Sequence, residues 1–153
     1  MVIGDLVFNE EQTLMKKLIL LLFSILIPCA SFGDSEISLF NSNGEAVAYI
    51  AVDDDLTIYL WSGEPVAYID DEDVYGFNGK HLGWFSESMI IDHNGESPCV
   101  LKNRYPGYTQ YEGYKSYKSY KPYKSYQEYA PYKPYTSNKF SSTPCSLFLA
   151  MGK

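Results

Sequence analysis

The sequence predicts an all-β domain of four short β-hairpin repeats in a pseudo-four-fold arrangement, preceded by a signal helix and followed by a Tyr-rich extended tail. Three observations carry this. Four turn dipeptides recur at regular spacing, matching residue columns follow each, and further on a tyrosine falls at every third position. The 153 residues divide into an N-terminal extension with a secretory signal (1–33), a four-hairpin β domain (34–103), a Tyr/Lys/Pro-rich low-complexity tail (104–139) and an apolar C-terminal segment (140–153).

The first element is the signal. Met15-Lys16-Lys17 precedes a largely apolar stretch from Leu18 to Ile27, the basic n-region and short h-region of an export signal. Spanning a bilayer takes roughly 20 residues, so the stretch is too short for that role. The small residues Ala30, Ser31 and Gly33 place cleavage between Ala30 and Gly33, with the mature chain starting near Asp34. Asp5, Glu10 and Glu11 suit an n-region poorly, which points to Met15 as the translation start. Leu26-Ile27-Pro28-Cys29 permits an alternative, lipoprotein processing, although Pro28 stands where a small residue is wanted. The expected location is secreted or periplasmic, in a bacterial cell envelope, with membrane attachment only if Cys29 is lipidated.

The repeat comes next. Asn43-Gly44, Ser62-Gly63, Asn78-Gly79 and Asn94-Gly95 lie between apolar runs and read as two-residue hairpin turns. Three residues after each Gly stand Val47, Val66, Leu82 and Pro98, and five after stand Tyr49, Tyr68, Trp84 and Val100. Six after stand Ile50, Ile69, Phe85 and Leu101, and the column between is small: Ala48, Ala67, Gly83 and Cys99. Small residues there imply close approach of backbones around a shared axis. The strands entering the turns are Ile37–Phe40, Leu56–Trp61, Val74–Phe77 and Met89–Ile91, rich in β-branched and aromatic residues. Isolated hairpins are marginal in water, so four are expected to share one core, to which Trp61, Trp84, Phe77 and Phe85 would contribute much of the burial.

The segments NGEAVAYI, TIYLWSGEPVAYI and VYGFNGKHLGWF, together with the closing FSSTPCSLFLA, resemble the four-fold β-flower family. In that family four hairpins surround a pseudo-four-fold axis. The resemblance spans Leu39 to Leu101 and implies a fold but no catalytic residues. Pro98 departs from the pattern and puts the pairing of the last strand in question.

Charge separates domain from tail. Residues 34–101 hold 14 acids against Lys80 alone, a net of −13, while residues 102–139 hold 8 bases against 2 acids, a net of +6. The overall net charge of −7 and the lack of a basic face on the domain argue against nucleic acid as a partner.

Candidate chemistry is sparse, and no cofactor is expected. Asp53, Asp54 and Asp55, and Asp70, Asp71 and Asp73 with Glu72, occupy successive connections between hairpins, where hard oxygen ligands could converge on Ca²⁺. A solvated acidic face is the competing reading. Asp92 and His93 are neighbours that a strand would point to opposite faces, and His93 beside a turn reads as a surface residue. Ser86 and Ser88 lie nearby, but no nucleophile elbow, metal spacing or phosphate loop accompanies them, so no catalytic residue is assigned. If Cys29 leaves with the signal, Cys99 and Cys145 remain, an even pair that permits a disulfide in an oxidising compartment. The size of its column already accounts for Cys99.

The tail carries the binding candidates: Tyr105, Tyr108, Tyr111, Tyr114, Tyr117, Tyr120, Tyr123, Tyr126, Tyr129, Tyr132 and Tyr135. A three-residue step alternates faces on a strand and drifts on an α-helix. Polyproline II, at three residues per turn, sets every ring on one edge and would stretch the segment to roughly 95 Å. Pro106, Pro122, Pro131 and Pro134 suit it. Lysines 115, 118, 121, 124 and 133 share the next phase, putting a cationic edge beside the aromatic one. One version has the tail lying across the acidic domain, its own or a neighbour's, so oligomers through the tail are open. A disordered low-complexity linker is the bland alternative. The apolar residues Phe140 and Leu147–Met151 are expected to pack on the domain or a partner.

The function expected is that of an exported, non-catalytic envelope protein with a structural or docking role, its partner an envelope protein or a carbohydrate surface. The alternatives are a Ca²⁺-dependent carbohydrate-binding module and a small envelope hydrolase.

Overall fold

The computed structural model describes residues 35–153; the expected signal and Cys29 lie outside the described residues. The strands are β1 (Glu36–Phe40), β2 (Ala46–Ala51), β3 (Thr57–Leu60), β4 (Pro65–Asp70), β5 (Asp73–Gly76), β6 (His81–Ser86), β7 (Met89–Ile91) and β8 (Cys99–Leu101). Each pairs antiparallel with the next, and β8 pairs back with β1, so the sheet closes into a barrel. Closure leaves no unpaired strand edge.

The turns differ from the two-residue geometry. Gly44, Gly63, Gly79 and Gly95 have φ between 75° and 85°, but the residue before each is not left-handed. Gly44 N–H donates to the Asn41 carbonyl and Asn41 N–H to the Glu45 carbonyl, both at 3.0 Å, and the other three turns repeat these bonds. This is a three-residue loop, a type I turn followed by a left-handed glycine. A bulge follows in the first three pairs, where the register skips from Leu39↔Ala48 to Phe40↔Ala46, from Ile58↔Ala67 to Tyr59↔Pro65 and from Val74↔Gly83 to Tyr75↔His81. The skipped residues are Val47, Val66 and Leu82. The bulge lets both the skipped residue and its small neighbour join the interior cluster.

That interior is aliphatic. Leu39, Ile58, Val74 and Ile90 meet Ala48, Ala67 and Cys99, with Ile50 and Ile69 beyond. Helix α1 (Cys145–Ala150) adds Phe148 and Leu149 to the same cluster, and Cys145 forms a disulfide with Cys99. The apolar C-terminal segment therefore packs on its own barrel. Eight strands enclose a bore only wide enough for packed side chains, and apart from Phe148 and Phe85 the rings stand outside that cluster. Of Trp61, Trp84, Phe77 and Phe85, only Phe85 packs on the interior cluster. Trp61 joins Tyr49 and Tyr59, Phe77 joins Tyr68 and Tyr75, and Trp84 meets His81 and His93. The expected single aromatic core is thus corrected to an aliphatic bore with aromatic clusters on the outer wall.

After Pro98, β8 is short: it keeps the pairs Met89↔Val100 and Ile90↔Cys99 with β7 and Leu39↔Leu101 and Phe40↔Val100 with β1. Beside it Ser97 bridges Phe140 in parallel, donating its N–H to Lys139 O at 2.9 Å while its carbonyl accepts Ser141 N–H at 3.0 Å.

Candidate functional site

Between the 3₁₀ turn Lys102–Arg104 and Lys139 the chain forms no helix or strand. Its backbone is nevertheless tied to the barrel at fixed intervals. The N–H groups of Gln110, Ser119, Glu128 and Ser137 donate to the carbonyls of Gly44, Gly63, Gly79 and Gly95 at 2.7–2.8 Å. Ser116 and Ser125 donate to Trp61 and Phe77 at 3.1 and 2.8 Å. Successive donors to the turn glycines are nine residues apart, so every third tyrosine triplet meets the next turn. We refer to this segment as the strap. A side chain at Gly63, Gly79 or Gly95 would collide with the carbonyl oxygen of Tyr117, Tyr126 or Tyr135, again nine apart.

The three phases of the period divide the work. One phase, with Ser116, Ser119, Ser125 and Ser137, supplies the donors, and Pro122, Pro131 and Pro134 fall at positions of this phase that make no such bond. The lysine phase turns to the barrel wall. Lys115 and Lys118 both reach Glu36, Lys118 at 2.7 Å. Lys121 binds Asp54 at 2.5 Å and Asp55 at 3.6 Å, and Lys133 stands 3.5 Å from Glu72. Glu112 and Gln127 hold the same phase, accepting from Ser38 Oγ at 2.6 Å and donating to Asp70 at 2.8 Å. The third phase holds the tyrosines. Tyr105 packs with Phe140 and donates to the Ser42 carbonyl, while the ten from Tyr108 to Tyr135 are 89–102% exposed.

Electrostatics follow the contacts. Burial pushes the Glu36 carboxyl up, but the two ammonium groups outweigh it and hold it below its ordinary range. Asp54 is likewise lowered, its burial outweighed by Lys121 and by the Tyr59 hydroxyl, which donates to it at 2.6 Å. The Asp54 hydrogen bond raises Lys121 in return, and burial and Asp54 together raise the Tyr59 phenol.

The acidic residues offered as Ca²⁺ ligands take part in other contacts. Asp54 and Asp55 face Lys121, Asp70 accepts from Gln127, and Asp73 accepts from His81 Nε2 at 3.1 Å. Among the described residues no group of three or more His, Cys, Asp or Glu is placed to hold a metal ion. His93 is exposed, yet its Nε2 stands 2.9 Å from Nδ1 of buried His81. Burial, then His81, lowers its pKa. Asp92 turns away from that pair and accepts from Asn94 N–H, Glu96 N–H and Ser141 Oγ.

Sequence reasoning missed the placement of the aromatic clusters on the outer wall, beneath the strap. Tyr49 and Tyr68 share the column five residues after a turn glycine. That alternation with interior residues was the available signal for an outward face.

Comparison with known proteins matches residues 37–149 to the family described as 4-fold beta flower protein. No match to a curated protein or to a solved structure was found. The closed antiparallel barrel and a match over most of the chain lead to one conclusion: the chain belongs to the 4-fold beta flower family.

Proposed function

We propose that this is an exported, non-catalytic protein of the bacterial cell envelope that docks through its strap, its partner an envelope protein or a carbohydrate surface. The observation that carries the reading is the set of ten tyrosines, each at least 89% exposed, on a backbone fixed at six points. Rings left in water at this density are a cost to a free monomer and a contact surface for a bound one. Tyrosine suits that role because it offers large amphipathic area with little rotamer entropy to lose. Pinning the backbone reduces the ordering cost of association further. The Cys99–Cys145 bridge suits an oxidising compartment outside the cytoplasm. In the same reading, the four strand pairs are repeats of one unit about a pseudo-four-fold axis. The uniform nine-residue step of the strap supports this, because equal steps of one chain reach equivalent turns.

The test is co-sedimentation of the mature protein with isolated envelope material, before and after protein stripping. The expected result is saturable retention that is lost when the ten exposed tyrosines are changed to serine in a chain that keeps its far-ultraviolet spectrum. Equal retention of the two proteins would overturn the reading. Retention after stripping identifies carbohydrate as the partner, and its loss identifies protein.

A further inference from the structure

The barrel wall changes character at its fourth strand pair. Five residues after the turn glycine the first three pairs carry a ring, Tyr49, Tyr68 and Trp84, and the fourth carries Val100. The two ends of the strap meet beside this smaller residue, where Arg104 Nη2 donates to Asn138 Oδ1 at 2.6 Å. Between those ends and the wall a cavity of about 270 Å³ remains. Buried Met89 and Val100 and the half-buried Phe140 ring make its lining apolar.

Its rim is cationic. Arg104 and Lys139 line it and no carboxylate of the described residues does. Neither of the two forms an ion pair among the described residues, in a chain of net charge −7 where Lys115, Lys118, Lys121, Lys133 and Lys153 each meet a carboxylate. A guanidinium has five N–H donors, and Arg104 uses one, on Asn138. The rest of its planar fork matches the two oxygens of a carboxylate. Ser97, 4% exposed, lines the same cavity and donates its hydroxyl to the Met89 sulfur at 3.0 Å. A thioether is a weak acceptor, and a carboxylate oxygen is a stronger one. An apolar lining with a few convergent polar groups is the make-up of a small-ligand site, and the volume lies just below the usual range of about 300–1,000 Å³.

We propose that this cavity binds small organic acids, the apolar body on Met89, Val100 and Phe140 and the carboxylate between Arg104 and Lys139. The ligand carries one anionic head on a short aliphatic chain or a single ring. One cation comes from each end of the strap, so a bound acid also ties those ends together. The site stands apart from docking through the strap, because none of the ten exposed tyrosines lines it.

The test titrates the full mature chain calorimetrically with octanoate and phenylacetate. Three comparators accompany them: octanamide keeps the body without the charge, octylammonium reverses the charge, and acetate keeps the head without the body. The NMR signal of the Met89 methyl group reports where the acid binds. The expected result is saturable binding of both acids, at least tenfold weaker binding of every comparator, and a Met89 signal that moves along the same saturation curve. Arg104→Gln with Lys139→Gln should weaken both acids at least tenfold. Val100→Trp, which sets a ring where the third pair has Trp84, should fill the cavity and abolish binding. Acids that do not saturate, a comparator that binds as tightly as octanoate, undiminished binding to the glutamine variant, or saturation that leaves the Met89 signal in place each overturn the proposal. Should Val100→Trp fail to fold, the glutamine variant decides alone, since both its positions are exposed.

Discussion

At Gly63 and Gly79 an added methyl group meets two obstacles at once, a backbone at φ near +84° and a strap carbonyl in the space it would fill. Gly63→Ala and Gly79→Ala should each cost about 1–3 kcal/mol in urea unfolding. Gly113→Ala should be nearly silent, since a Cβ there meets nothing within 4 Å. Glu36 gives a second prediction, in pH. Its folded value lies below the ordinary 4.5, so folding favours the ionised form. That stability is complete above about 4.5 and is lost as pH falls through the lower folded value. Melting temperatures of the wild type and Glu36→Gln should therefore diverge at neutral pH and converge as the pH falls through that lowered value. A constant gap would show that the two lysines do not act through this carboxylate.

The strap belongs to the next scale, and its backbone donors are the testable part. Ser119→Pro removes the N–H that reaches Gly63 and should destabilise by about 1–2 kcal/mol, whereas Ser119→Ala keeps the bond and should change little. Replacing lysines 115, 118, 121, 124 and 133 with glutamine should lower the melting temperature in dilute buffer, with a gap that narrows in 1 M salt, where the Debye length is about 3 Å. An unchanged gap would assign their effect to ring contacts instead of charge. The three-residue period was legible in the sequence because it is local. Its docking surface was not, because contacts such as Glu112 to Ser38 join positions 74 residues apart. Turn geometry was half legible for a related reason. An Asn-Gly pair fits a two-residue hairpin and also the end of a type I turn with a left-handed glycine, and the barrel selects the second because the bulge after it turns Val47, Val66 and Leu82 toward the core.

For the molecule as a whole, the all-β class and the family could be read from Leu39 to Leu101, since alternation and turn chemistry recur there strongly enough to outweigh the unusual composition. Which face of the alternation is inside could not. Tyr49 and Ile50 are both hydrophobic, and only closure into a narrow bore decides that the aliphatic side chain goes in and the ring out. Covalent closure adds a further expectation. The bond between Cys99 and Cys145 spans 46 residues and by loop entropy contributes about 4 kcal/mol, so Cys99→Ala with Cys145→Ala should lower the unfolding free energy by roughly 2–5 kcal/mol, and reductant should have no further effect on that variant. The bridged loop also contains the whole strap. A single protease cut between Tyr108 and Tyr135 cannot release either piece, and the nicked protein should run as one species on a non-reducing gel and as two after reduction. The stretch with the most exposed rings is thereby kept on the barrel through its first cut.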